Sequence, residues 1–225
     1  MAFNGFTPDT LRFIADLNEH NDRAWFAENR DRYERAVLGP QKEFVAAIGA
    51  AFGQVDTRVQ AVPAVNKSIF RINRDIRFSR DKSPYKTHCD VFFWIGDKRK
   101  NDPGYFMRLA PEEIWIGCGQ HSLEPDQLAR LRAAIAAPAS GEELERLLVP
   151  LEAAGFSVGE KGLARVPAGF SADSPRAELL KFTVMHAILA VAPPEELTTP
   201  QFVDWSMERF LKTKPLVDWL VEHVG

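Results

Sequence analysis

The sequence predicts an α+β protein, and three observations carry that prediction. Apolar side chains recur at steps of three and four through the first fifty residues. The period then changes to alternation and to short apolar runs between about residues 66 and 118. From residue 124 the helical spacing returns. The expected arrangement is a central, mostly antiparallel sheet over about residues 66–118, with short later strands, packed by helices from residues 7–53 and 124–224. No shift in composition marks an internal boundary, so residues 1–225 are read as one domain.

The elements follow in order. Thr7-Pro8-Asp9 is a helix start: a capping hydroxyl, a proline suited to the first turn and an acid at the positive end of the dipole. Leu11, Ile14 and Leu17 continue that helix. Asn21-Asp22 opens a second, with Trp25, Phe26, Asn29, Tyr33 and Val37 at helical steps, and Gly39-Pro40 is expected to stop it. Phe44, Val45, Ile48 and Phe52 mark a third. Residues 70–78 alternate, with Phe70, Ile72, Ile76 and Phe78 on one parity and Arg71, Asn73, Asp75 and Arg77 on the other, which predicts a half-buried strand. Arg74 would then lie alone on the apolar face, costly unless paired or ligated. Residues 79–84 carry turn formers and read as a loop.

Val91 to Ile95 form an apolar run fit for a central strand. Residues 105–110 and 114–118 flank Pro111-Glu112-Glu113 as a hairpin, and Gly117-Cys118-Gly119 allows a bend or a close backbone approach. Leu128, Leu131 and Ile135 predict a helix; Ser140 is read as the cap of the next, which ends at Gly155. Residues 156–166 suggest a short strand pair, 174–181 a helix, 182–186 a strand, and 199–224 a helix interrupted at Pro215.

Composition excludes several classes. With 45% hydrophobic and 26% charged residues the chain is globular rather than disordered. Two cysteines, Cys89 and Cys118, are too few for a disulfide scaffold or a cysteine-type zinc site and are expected as buried thiols. The five histidines have no metal-type spacing, so no metal site is expected. No phosphate-binding glycine loop, dinucleotide fingerprint or serine-hydrolase elbow is present, so no cofactor is expected. There is neither a signal-peptide pattern nor an apolar run of about 18 residues, so the expectation is a cytoplasmic protein without membrane contact.

The densest chemistry lies in residues 67–88, where seven cations meet two anions in a chain whose net charge is −3. The guanidinium fork suits carboxylate or phosphate. The candidate ligand-binding residues are Arg71, Arg74, Arg77, Lys82, Tyr85 and Lys86, with Tyr85 or Asp81 as proton carriers. His88 is an alternative acid or base, though a simple hydrogen-bonding role suits it better. Trp25 and Trp115 read as core, and Asn21 as a helix cap. A bland reading stands beside this one: Asp75, Asp81 and acids elsewhere could neutralise the arginines in a structural network.

Asn21-Asp22-Arg23-Ala24-Trp25-Phe26, the stretch over residues 70–86, Pro103-Gly104-Tyr105, Gly117-Cys118-Gly119 and Lys214-Pro215-Leu216 occur in order across nearly the whole chain. In these the sequence resembles the widespread bacterial family called domain of unknown function 2461. The resemblance implies one compact α+β unit and no established activity. The sequence departs from the usual pattern at His20 and at Gln120-His121, which argues against a family-wide catalytic role for His20 or His121.

Two functions of different class follow. One is a small-molecule binder or enzyme that recognises a phosphate- or carboxylate-bearing ligand, and it requires the cations to converge on a concave pocket. The other is a binding module for nucleic acid or an acidic protein partner, which requires an open basic face extended by Lys98, Arg99 and Lys100. A sequence pI near 6.0 favours the first.

Overall fold

The computed structural model describes residues 2–225. Helices α1 (Pro8–Glu19), α2 (Arg23–Glu28), α3 (Arg30–Tyr33) and α4 (Gly39–Phe52) come first. Strands β1 (Val59–Gln60), β2 (Cys89–Ile95), β3 (Gly104–Leu109) and β4 (Ile114–Gln120) follow. Then come α5 (Pro125–Ala136), α6 (Pro138–Ala153), β5 (Ser157–Lys161), β6 (Phe182–Val191) and α7 (Phe202–His223). The fold is α+β: an antiparallel six-stranded sheet, ordered β1-β2-β3-β4-β6-β5, with flanking helices.

The chain divides into two compact units. The first comprises Met1–Phe93, Phe106–Trp115 and Ala190–Met207. Its core is aromatic: Phe44 meets Phe3, Phe6 and Phe202 at 5.3, 5.6 and 5.4 Å between ring centroids. Phe13 contacts Trp25 and Tyr33, so α1 closes over α2 and α3. The second comprises Trp94–Tyr105, Ile116–Leu189 and Glu208–Gly225. There Leu131, Ile135, Leu144 and Leu148 of α5 and α6 are buried, as are Phe210, Leu216, Val217 and Leu220 of α7.

Several expectations are corrected. Gly39-Pro40 does not stop a helix. Residues Glu34–Leu38 form a π-helical turn, closed by Gly39 N–H donating to Glu34 O, and lead straight into α4. Pro40 has no N–H to give to the carbonyl of Ala36, and the buried Thr10 hydroxyl donates to that oxygen instead, at 2.6 Å. The wider turn accommodates the proline because a partner from α1 satisfies the orphaned acceptor.

Residues 70–78 are not a strand. One isolated bridge occurs there, Asn73 with Tyr85, and Ile69 just before the stretch bridges Val91. Scattered backbone partners take the place of a ladder: Phe70 N–H donates to Asp90 O, Arg74 N–H to Pro84 O, and Ile72 O accepts from Lys86 N–H. Asp75 accepts from Arg77 N–H, and Asp81 accepts from the N–H and hydroxyl of Ser83. Phe78, expected on the buried side, is 96% exposed.

Four smaller corrections lie downstream. α6 begins at Pro138, and Ser140 donates its hydroxyl to Ala134 O instead of capping. β5 pairs with β6 rather than with a neighbour inside 156–166. Residues 174–181 hold only a 3-10 turn at Leu179–Lys181. α7 runs unbroken through Pro215, because burial of Phe210 and Leu216 on either side outweighs a proline cost of about 3 kcal/mol.

Candidate anion-binding site

The N-terminal helices set one side of the site. Arg23 and Phe26 come from α2 and Arg30 and Tyr33 from α3, two short helices joined at Asn29. Arg71 and Tyr85, from the 67–88 stretch, complete a cavity of about 420 Å3 with these four. The Phe26 ring stacks on Tyr85 at 4.2 Å and meets Tyr33 at 5.3 Å, giving an aromatic floor. Tyr33 and Tyr85 are only 7% and 8% exposed. Among the described residues neither hydroxyl has a protein hydrogen-bond partner, and Arg23, Arg30 and Arg71 have no ion pair and no side-chain hydrogen bond. Glu34 is the one carboxylate lining this cavity. Burial pushes the Tyr33 phenol up, with Glu34 adding to the shift, so Tyr33 stays a neutral O–H donor.

Asn21 holds the far wall. Its side-chain amide donates to Tyr85 O, and Tyr85 N–H donates to its oxygen, both at 3.0 Å. Asp22 is the helix cap, accepting from the N–H groups of Ala24 and Trp25. The expectation of a capping Asn21 is therefore corrected: the cap passes to its neighbour, and Asn21 is free to pin the tyrosine. Replacing Asn21 by alanine is expected to destabilise the protein by about 1–2 kcal/mol, since two part-buried backbone groups lose their partners. Thermal denaturation checks the stability. Fluorescence quenching checks whether the Tyr85 wall has become accessible.

The six sequence-selected residues do not converge on one pocket. Arg71 and Tyr85 line the cavity above. Arg74, Lys86 and again Tyr85 line a second cavity of about 470 Å3. Arg74 is half-buried and tied to Asp81, whose carboxyl is held low by Ser83 and Arg74. Arg77 chelates Asp75 at 2.9 and 2.6 Å and holds its carboxyl down at about 2. Lys82 donates to Ile76 O at 2.9 Å. Arg77 and Lys82 line neither cavity.

Behind the second cavity sits Asp90, only 5% exposed. Arg108 reaches its carboxylate at 2.8 Å, Lys86 at 3.3 Å and His88 at 3.4 Å. Burial alone would raise the Asp90 carboxyl, but the bonds from His88 and Arg108 overcome that and hold it well below the usual range. Lys86 also lies 5.0 Å from the Phe70 ring, and Arg108 4.9 Å from that of Trp115. Trp115 is thus half-buried as a platform for Arg108.

The family model described as "Conserved hypothetical protein (DUF2461)" matches residues 9–219. The chain belongs to that family. No curated protein and no solved structure matches this family member. The match spans both cavities, and the family's description assigns neither of them a role.

Arg23, Arg30, Tyr33 and Glu34 were not singled out from the sequence, nor were Asp90 and Arg108. The first four lie on helical segments and the last two on strands, and nothing local connects the helical four with residues 71 and 85. Among the described residues no helix is long and apolar enough to cross a membrane. No group of three or more metal-type ligands occurs among the described residues. Cys89 and Cys118 are free and buried; burial pushes the first thiol up strongly and the second to about 12.

Proposed function

We propose that the protein binds a small ligand bearing a phosphate or carboxylate group in the Arg23–Arg30–Arg71 cavity. One observation carries the reading. Three guanidiniums from three separate segments, none of them ion-paired, face one cavity over two buried tyrosines whose hydroxyls have no protein partner. Guanidinium and phenol groups are all donors to an anion. The 67–88 motif is then divided in labour: Arg71 and Tyr85 meet the ligand, while Arg74, Arg77, Lys82 and Lys86 hold the loop in shape.

Thermal denaturation against phosphates, carboxylates and nucleotides tests this. A ligand at one hundred times its dissociation constant stabilises by about 2.7 kcal/mol, or roughly 5–10 °C for a chain of this size. The shift is expected in the wild type and in Arg74→Ala, and lost in Arg71→Ala, which folds normally because Arg71 is exposed and holds nothing. A shift that survives Arg71→Ala, or none with any compound, rejects the reading.

A second reading, a module for single-stranded nucleic acid, is favoured by Phe78. Its ring is 96% exposed, with the Arg77 guanidinium 5.9 Å away and Arg80 also exposed. An exposed ring beside cations suits base stacking worth about 1–3 kcal/mol. Oligonucleotide affinity that falls steeply with salt and is lost in Phe78→Ala would select it over the first.

A further inference from the structure

We infer that the ligand of the arginine cavity is a phosphate monoester in its dianionic form, carrying one ring as its organic part. The inference rests on the anion-binding reading above and sharpens it to a class.

Charge comes first. Arg23, Arg30 and Arg71 against Glu34 leave a surplus of two positive charges in the lining. A monoester dianion cancels that surplus. A carboxylate or a sulfate ester leaves one guanidinium uncompensated. A diphosphate overshoots and brings further negative charge toward Glu34, so Glu34 sets an upper limit on the charge accepted.

Geometry is consistent with charge. Tetrahedral phosphate oxygens can accept from several forks at once, and the Tyr33 and Tyr85 hydroxyls add two donors from the floor. The rest of that floor is apolar: Phe26 with its stacked partner Tyr85, and the buried Leu38 and Ile72. Inorganic phosphate would leave this surface against water, whereas a ring covers it. The volume of about 420 Å3 falls near the lower end of the range for small-molecule sites, room for one ring and one phosphate.

The test is calorimetric titration of the wild type with phenyl phosphate, phenyl sulfate, benzoate and inorganic phosphate. The second proton of a phosphate monoester leaves near pH 6, so the dianion falls from nearly all of the ligand at about pH 7.5 to about a tenth at about pH 5. Phenyl phosphate is expected to bind about tenfold more weakly at the lower pH, and phenyl sulfate, of the same shape with one fixed charge, to show no such change. The titratable groups lining the cavity are the Arg23, Arg30 and Arg71 guanidiniums, the Tyr33 and Tyr85 phenols and the one carboxylate, Glu34. Glu34→Gln therefore isolates the ligand's own proton: the tenfold change must persist in that variant, and the variant should gain affinity for pyrophosphate relative to phenyl phosphate.

Phenyl sulfate or benzoate binding as tightly as phenyl phosphate, without pH dependence, overturns the dianion and leaves the anion site standing. Inorganic phosphate binding as tightly as phenyl phosphate overturns the ring. No binding by any of the four overturns this inference and the broader reading together.

Discussion

Asp90→Asn is expected to destabilise the protein by about 3 kcal/mol. The carboxylate is nearly sealed and neutralises Arg108 and Lys86, with His88 as a third contact. Removing one member of a buried pair usually costs about 3–5 kcal/mol, because the partner charges stay desolvated and uncompensated. The low end applies here, since both cations keep some solvent contact and each lies over an aromatic ring. For a chain of this length the melting temperature should fall by roughly 6–12 °C.

The pH dependence has a definite sign. Asp90 has a depressed folded-state pKa, so its contribution is fully present above the unfolded aspartate value near 3.9 and is lost as pH falls through the lower folded value. The gap between wild type and variant should therefore shrink progressively below about pH 4. Urea denaturation at neutral pH and again at about pH 3 measures both gaps. An equal gap at the two pH values would show that the ionised carboxylate is not what the variant removes.

Gly117→Ala is expected to cost about as much, for a different reason. A Cβ at Gly117 in β4 would land on the carbonyl of Ala187 in β6, where no side chain can swing aside. One of two hydrogen-bonded strands must move, at a cost near the upper end of the roughly 1–3 kcal/mol seen for overpacking. Gly53→Ala is the control. Its backbone is ordinary, with φ −57°, and a Cβ there meets its nearest atoms at 3.4 Å. That variant should match or slightly exceed wild-type stability, because alanine restricts the unfolded chain. Equal melting temperatures for the two variants would mean that the strands yield at no cost.

Gly117 shows how far local sequence reaches. Two glycines around one residue inside an apolar strand allowed a bend or a close backbone approach, and the carbonyl of Ala187 makes it a close approach. The hairpin of β3 and β4, the first helix start and the apolar run of β2 were legible in the same way. Each depends on side chains a few residues apart, so periodicity and turn chemistry suffice. The alternation over residues 70–78 misled because period predicts which side chains share a face. It does not say whether a neighbouring strand arrives to make the ladder. Here none does, and the stretch bonds to scattered backbone groups, with Asp75 accepting from Arg77 N–H.

The sequence by itself determined the α+β class, the membership of the family and the presence of a cation-rich stretch. Only the tertiary structure decided which of its unpaired cations faces a cavity. Arg74, Arg77 and Lys86 find carboxylates within a few residues of themselves, whereas Arg71 meets Arg23 and Arg30 across more than forty residues of chain. In the same way Thr10 completes the turn at Pro40, and Asn21 pins Tyr85. These are contacts between segments that no local period connects. Chain closure over such distances is set by burial of the aromatic core. The cavity is therefore a property of the packed molecule, not of the motif that lines it.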